Sequence, residues 1–249
     1  MTSGRKTACN FSTAAALYDA RAHIQRALAV ELTERVRVAV NSRVVDIGTG
    51  TGILLKELRR IQPQADYVGL DAAEGMLARG TGWRVRADQA SLPFRPESFD
   101  LLVSASCYHW SVDLRGAFRS AAAVLKPGGK FAAVIFGQET MPELFSALGT
   151  ADPGLAQKLS NMARLPSLED AGAALGAAGF SAFDFEREVR RETFGSLREV
   201  LVWLKETGTN GLGRGMFIGK NALARAEEVF MSGFKGQVSF EIIWLQAQK

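Results

Sequence analysis

The sequence contains few of the residues from which metal sites and disulfide frameworks are built. Among its 249 residues there are two cysteines, Cys9 and Cys107, and two histidines, His23 and His109. Two cysteines are too few for a disulfide framework, and nothing in the chain has the spacing of zinc ligands. We therefore expect no bound metal, and we take the cytoplasm as the default location.

Long apolar segments are also missing. A helix that spans a bilayer needs roughly 18 or more apolar residues. The longest candidates, residues 101–112 and 171–183, fit a buried strand and an Ala/Gly-rich helix better. The N-terminus has no apolar core of a signal peptide, so we expect no membrane partner. Hydrophobic residues still make up 47% of the chain. This is enough for the core of one large domain or of one domain with an added lid.

The charge is weakly basic and unevenly distributed. The formal net charge is +4, an excess that serves solubility or attracts an acidic partner. No run of Lys and Arg is interleaved with aromatic residues, so we do not expect nucleic acid as a partner. Cations are frequent in the C-terminal third, at Arg187, Arg190, Arg191, Arg198, Lys205, Arg214, Lys220 and Arg225.

The most informative segment is Val44–Gly52, which reads VVDIGTGTG. A buried strand that ends in a glycine-rich turn and runs into a helix is how α/β proteins hold nucleotide-like ligands. Glycines let the backbone turn sharply and approach the ligand closely. Gly48, Gly50 and Gly52 here follow Asp46, and an acid at that place suits a cationic ligand end better than the pyrophosphate of G-x-G-x-x-G sites.

Four further signals follow in order. Residues 67–71 (YVGLD) predict a second strand that ends in Asp71, where such folds place a carboxylate on ribose hydroxyls, although Asp71 also suits a helix N-cap. Asp88 comes next, and residues 98–104 (SFDLLVS) predict a fourth strand. Residues 124–130 (VLKPGGK) predict a turn before a fifth strand. This set resembles the motifs of the class I S-adenosylmethionine (SAM) methyltransferases.

The resemblance implies an α/β, Rossmann-like class I methyltransferase fold, with a mostly parallel seven-stranded sheet, helices on both faces and a helical lid insert. We expect an N-terminal helical cap over residues 1–42, including a helix at Ala22–Val40, and a methyltransferase domain over residues 43–249. The last strand is expected to run antiparallel. Inserts at about residues 137–166 and 194–236 lie outside the minimal fold and are predicted to form a lid that selects the substrate.

The ends of the chain resemble a narrower family, the malonyl-acyl-carrier-protein O-methyltransferases of biotin synthesis. Residues 10–26 are similar to its N-terminal signature through Phe11, Ala14, Ala15, Tyr18, Asp19 and Gln25. Residues 141–144 (MPEL), 164–166 (RLP) and 204–210 (LKETGTN) are similar to further segments, and Gly213-Arg214 matches a Gly-Arg that follows them. Thr209 replaces the usual Ala of that pattern. The resemblance covers nearly the whole chain.

The resemblance also implies roles for individual residues. The residues expected to bind the cofactor SAM, or its product S-adenosyl-L-homocysteine, are Tyr18, Asp46, Gly48, Thr49, Gly50, Gly52, Asp71, Ala72, Met76, Asp88, Gln89, Ala90 and Ser104. The residues expected to bind the substrate are His109, Trp110, Arg164 and Arg214. Tyr18, which would close over the sulfonium, and His109 are the candidate catalytic residues. Alternatives stay open for five of these residues. Tyr18 could be a core or lid aromatic and His109 a packed pocket-wall histidine. Arg164 and Arg214 could be surface arginines, and Met76 could simply pack within its helix.

The implied reaction transfers a methyl group from SAM to the free carboxylate of malonyl-acyl-carrier protein in the biotin pathway. Such a carboxyl has a pKa of roughly 4 and is already an anion at pH 7, so no general base is needed. An arginine that donates two hydrogen bonds to the malonyl carboxylate would orient that group. The carrier protein is acidic as a class, and the basic C-terminal third is a candidate dock for it.

Two alternatives stay open. A SAM methyltransferase for a small molecule, such as a quinone precursor or a free dicarboxylic acid, would share every cofactor motif and differ in the lid. A non-catalytic assembly protein with the methyltransferase fold would carry a broken cofactor set, whereas Asp46, the three glycines, Asp71 and Asp88 are all present here.

Overall fold

A seven-stranded sheet with helices on both faces forms the body of the molecule, as the sequence predicts. The computed structural model describes residues 3–152, 154, 165–209 and 218–249. The strands are β1 (Arg43–Ile47), β2 (Asp66–Asp71), β3 (Trp83–Arg86), β4 (Phe99–Ala105), β5 (Leu125–Phe136), β6 (Ala182–Thr193) and β7 (Gln237–Gln248). The helices are α1 (Ser3–Arg21), α2 (His23–Arg35), α3 (Ile53–Ile61), α4 (Glu74–Leu77), α5 (Leu114–Val124), α6 (Pro142–Ala151), α7 (Leu168–Ala177), α8 (Leu197–Glu206) and α9 (Lys220–Phe234).

The strand order places a crevice in the middle of the sheet. The order is β3-β2-β1-β4-β5-β7-β6. Strands β1 to β5 pair in parallel, and β7 runs antiparallel to both β5 and β6, which confirms the expected antiparallel last strand. The chain proceeds outward from β1 to β3 and then returns to β4 on the other side of β1. Open α/β sheets bind ligands at the carboxyl ends of the strands at such a switch point.

Two apolar layers fix the sheet between them. One layer packs side chains of α2, α3, α6, α8 and α9 against one face and includes the fully buried Leu28 and Phe230. The other layer contains Tyr108, Phe118 and Phe131, whose ring centroids lie 5.1 to 5.7 Å apart. Because both faces are covered, the ends of the central strands have fixed positions.

The N-terminal segment differs from the expected single helix at Ala22–Val40. Two helices precede β1, and Ala22 separates them with φ −82° and ψ 50°, outside helical geometry. The second helix ends at Arg35 because Val36 is extended. Within the expected helical cap over residues 1–42, the sequence did not indicate α1 as a separate helix, since its apolar side chains face a cavity and α4 rather than the sheet.

The predicted inserts are described in part. The first contains α6 and the second contains α8 and α9, whereas residues 153, 155–164 and 210–217 lie outside the described part of the chain. The domain boundaries and the lid stay predictions. Among the described helices, none combines the length and the apolar composition needed to cross a bilayer.

The aromatic layer yields a test of the core. Replacing the fully buried Phe118 by alanine is expected to lower the free energy of unfolding by about 3–5 kcal/mol, because the lost ring leaves a cavity beside Tyr108 and Phe131. Urea unfolding followed by circular dichroism measures the change. The control is Phe183→Ala, whose ring is 42% exposed and whose loss should cost less than about 1 kcal/mol. Equal losses in the two variants would contradict this placement of the core.

Candidate functional site

A cavity of about 620 Å³ opens at the switch in strand order, a size typical of small-molecule sites. Helix α1, the loops after β1 and β2, and the segments after β3 and β4 form its walls. The structure brings together on these walls most of the residues predicted from the sequence: Tyr18, Gly48, Gly50, Asp71, Ala72, Met76, Asp88, Gln89, Ala90 and Trp110.

The glycine-rich turn after β1 forms the floor of the cavity. The backbone N–H groups of Gly48 and Thr49 both donate to the carbonyl oxygen of Leu70, at 2.7 and 2.9 Å. Gly48 has φ +75°, and a Cβ there would lie 2.3 Å from the Cβ of Cys107. Gly50 has φ +56° and open space where its side chain would be. A side chain therefore has no room at position 48 and would project into the open space at position 50.

Asp71 ties the two loops at the ends of β1 and β2 together. Its Oδ2 accepts a hydrogen bond from the Gly50 N–H at 2.8 Å, and its Oδ1 accepts one from the Ala73 N–H at 2.7 Å. Burial raises the pKa of the carboxyl, and these backbone donors oppose that rise. Asp71 is not the helix N-cap that the sequence also suggested, because α4 begins at Glu74 and its N-cap is Ala73. The ribose contact stays a prediction, and each carboxylate oxygen can still accept a further hydrogen bond.

Asp46 is an acid buried without a hydrogen-bond partner among the described residues. Its side chain is 1% exposed and does not reach the cavity wall. Burial raises the pKa of Asp46 to about 7, with an opposing effect from the Thr49 hydroxyl and a smaller rise from the charge of Asp71. A buried, unpaired carboxylate is costly unless a positive charge approaches it. The amino group of a methionine moiety above the glycine turn would supply such a charge, so the site fits SAM.

The segment after β3 closes the far end of the cavity. Asp88 accepts a hydrogen bond from the Ala90 N–H at 2.9 Å, which shapes the turn on which Gln89 and Ala90 lie. Met76 is buried and lines the same cavity while packing against Ala15 and Ala73. Both expectations for Met76, packing and cavity contact, are therefore compatible.

Helix α1 forms a roof that is fastened at two points. The Thr51 hydroxyl donates to Asp19 Oδ1 at 2.6 Å, which joins α1 to the glycine-rich turn. The Gly75 N–H donates to the Ser12 hydroxyl at 3.2 Å, which joins α1 to α4. These contacts place the α1 side chains directly over the cavity.

Three aromatic rings face the cavity where α1 meets the segment after β4. Phe11 lies 6.3 Å from Tyr18 and 5.7 Å from Trp110, measured between ring centroids and in edge-to-face geometry. Burial raises the pKa of Tyr18 further above its ordinary value, so its phenol keeps its proton. The rings and the neutral hydroxyl provide an environment suited to a cationic sulfur.

Several predicted residues do not line the cavity. Ser104 is fully buried and donates to the carbonyl oxygen of Ile47 at 2.7 Å, because it lies within β4, which extends to Ala105. Thr49 turns its side chain toward Gly69 in the sheet. Gly52, with φ +89°, begins α3 instead. Thr49 and Gly52 shape the turn, while Ser104 joins β4 to β1.

His109 also lies off the cavity wall. It is buried, and its Nδ1 accepts from the Phe136 N–H at 3.4 Å. Burial lowers the pKa of His109 to about 3, so the ring is neutral at physiological pH. The structure thus favours the packed histidine of the alternative expectation, although His109 lies behind the cavity wall rather than in it.

The predicted substrate arginines, Arg164 and Arg214, lie outside the described residues. Among the residues that are described, no Lys or Arg side chain lines the cavity. The same part of the chain holds no cluster of three His, Cys, Asp or Glu side chains suited to a metal ion.

Several residues that line the cavity near α1 and the segment after β4 were not among those predicted to bind cofactor or substrate. Phe11 and Ser106 line it, together with residues 111–113. Ser106 has φ +57°, a conformation unusual outside glycine, and its hydroxyl is buried with no partner in the described structure. The signature around Phe11 was the only available signal for α1, and no sequence pattern marked Ser106.

Comparison with known proteins gives matches over nearly the whole chain. Residues 45–133 match a family model described as a methyltransferase domain. The chain is 32% identical to a malonyl-[acyl-carrier protein] O-methyltransferase of Gallionella capsiferriformans, over 88% of this chain and 80% of that protein. It is 34% identical to the biotin biosynthesis bifunctional protein BioHC of Saccharophagus degradans, but it spans only 41% of that relative's length.

Solved structures agree on the fold. The YcgJ protein from Bacillus subtilis superposes with a TM-score of 0.61, over 89% of this chain and 97% of that one, at 19% sequence identity. Identity this low supports the fold alone.

The raised pKa of Asp46 predicts a pH-dependent affinity. A carboxyl with a pKa of about 7 is mostly protonated at pH 5.5 and gains charge as the pH rises toward 7. Affinity for S-adenosyl-L-homocysteine, whose amino group stays cationic over that window, is expected to rise about tenfold from pH 5.5 to 7. Isothermal titration calorimetry measures this affinity. Asp46→Asn should bind without that rise, and a flat profile in the unmodified protein would contradict the assignment.

Proposed function

The chain belongs to the malonyl-[acyl-carrier protein] O-methyltransferase family, and from that premise we propose that it methylates the free carboxylate of malonyl-acyl-carrier protein in biotin synthesis. It is a SAM-dependent methyltransferase. The observation that carries the proposal is the cavity itself, which is lined by three aspartates and by aromatic rings, has the unpaired Asp46 beneath its glycine-rich floor, and has no histidine or lysine on its described walls.

A malonyl carboxylate needs no deprotonation before it reacts. Its pKa is roughly 4, so it is an anion at pH 7. When bound, SAM supplies a methyl carbon attached to a positively charged sulfur. A carboxylate oxygen would accept that methyl group, and the electrons of the C–S bond would return to sulfur. No proton moves, which agrees with a neutral His109 and an undissociated Tyr18.

The protein contributes by holding the two reactants in line and excluding water. A near-attack separation of about 3–3.5 Å and a dry site both accelerate such a transfer. The roof made by α1, with its two hydrogen-bonded fastenings to the turn after β1 and to α4, serves the second purpose. Phe11, Tyr18 and Trp110 provide apolar walls where the methyl group would lie.

The partner of the malonyl carboxylate is assigned to Arg164 or Arg214. A guanidinium binds a carboxylate through two parallel hydrogen bonds, and the described cavity wall offers no cation of its own. Both arginines belong to segments that resemble those of the family.

Mass spectrometry of malonyl-acyl-carrier protein incubated with the enzyme and SAM tests the proposal directly. We expect the gain of one methyl group on the malonyl carrier protein and none on acetyl-carrier protein, which has no free carboxylate. SAM binding without any gain would overturn the carrier-protein substrate and favour a small acid or a quinone precursor.

The base-free mechanism makes a prediction for His109. In His109→Asn the side-chain oxygen can accept from the Phe136 N–H in place of Nδ1, so the pocket wall is preserved. We expect kcat to stay within about tenfold of the unmodified enzyme, whereas loss of a general base costs about 100- to 10,000-fold. Steady-state kinetics with the malonyl substrate measure this. A loss of that larger size, with SAM binding intact, would contradict the mechanism.

A further inference from the structure

A second groove adjoins the cavity and shares part of its rim. Its volume is about 460 Å³, and Ser111, Val112 and Asp113 line both spaces. Helix α5, the turn after β5 and the start of α7 form its other walls. Val112, on the shared rim, is 81% exposed. A ligand that enters the cavity at the segment after β4 can therefore continue into this groove.

The groove suits a neutral chain rich in amides. The Gln138 side chain lines it and makes no hydrogen bond among the described residues, so both its donor and its acceptor are available. Asp113 and Asp170 also line it, and both cap helices by accepting from backbone N–H groups or by completing a capping box. Two carboxylates disfavour an anion inside the groove.

Free positive charge lies directly beside this groove. Arg115 lines it, and Arg119 follows one turn later on the same exposed side of α5. Neither side chain forms an ion pair or hydrogen bond with any residue the structure describes. In the C-terminal third, Arg187 pairs with Glu241, and Arg190 pairs with Glu31 and Glu188. The exposed cations there that have no partner among the described residues line neither the groove nor the cavity; they include Arg191, Arg198, Lys205 and Lys220.

We propose that the groove and the Arg115–Arg119 face of α5 form the docking surface for the acidic carrier protein. The groove takes the amide-bearing arm that carries the thioester, and the two arginines face the acidic surface and the phosphate at the base of that arm. This inference rests on the proposed function. It places the docking surface on α5, whereas the sequence suggested the basic C-terminal third. Charge complementarity at a rim mainly sets the rate of encounter and its salt dependence.

The test compares two double variants with the same change in net charge. Arg115→Glu/Arg119→Glu reverses the proposed dock. Arg37→Glu/Lys56→Glu reverses two exposed cations, outside the groove and the cavity, that have no partner among the described residues. Calorimetric binding of carrier protein bearing the unacylated arm is measured alongside KM for malonyl-carrier protein and for malonyl-pantetheine, which has the arm without phosphate or protein.

We expect the α5 variant to weaken carrier binding and to raise KM for malonyl-carrier protein by about tenfold or more at low salt, and the control variant to change neither. KM for malonyl-pantetheine and affinity for S-adenosyl-L-homocysteine should stay the same in both variants. High salt should reduce the difference between the α5 variant and the unmodified enzyme.

Three results would overturn the inference. They are unchanged carrier binding in the α5 variant, an equal loss in the control variant, and an equal rise in KM for malonyl-pantetheine. Failure of the proposed function is distinct, because the unmodified enzyme would then methylate neither thioester, while calorimetry with the carrier protein would still decide whether α5 binds it.

Discussion

The Asp71 carboxylate holds the site together. It accepts from Gly50 on one loop and from Ala73 on the next, so one side chain joins the turn after β1 to the start of α4. The N–H groups of Gly48 and Thr49 add a backbone link to Leu70, and Gly75, just beyond this link, holds α1 through Ser12. Because each carboxylate oxygen has a further lone pair, the same group can serve structure and ligand together. Its burial raises its pKa, and the two backbone donors oppose that cost.

The charged side chains at and beneath the cavity are all acidic among the described residues. Asp46 is buried beneath it without a partner, Asp71 and Asp88 line it, and its described walls have no cation. Such a site is least stable when empty at neutral pH, because ionising Asp46 costs more in the folded chain than in the unfolded one. A cationic ligand removes that cost. His109 contributes no opposing charge, since burial keeps it neutral.

The part of the site that the sequence predicted is the part formed by strand ends. Asp71 ends a strand, Gly48 and Asp88 come just after one, and parallel strands bring their carboxyl ends to one edge of the sheet. Residues whose position depends on packing were harder to predict. Ser104 was expected at the cavity, but β4 runs one residue further, and the hydroxyl bonds to Ile47 instead. The roof residue Phe11 belongs to a helix whose apolar side faces the cavity, so no stripe toward the sheet revealed it.

The two ends of the cavity are built differently, and this difference bears on how a substrate is selected. A reaction that needs no proton transfer gives the protein only position and access with which to select a substrate. The cofactor end is built from turns at the ends of β1 and β2, whereas the other end depends on residues 106–113, a short segment that begins with Ser106 at φ +57°. That segment makes none of the hydrogen bonds by which Asp71 joins the turn after β1 to the start of α4. Because the cofactor end is built separately from that segment, one fold can hold the same cofactor and still serve different substrates.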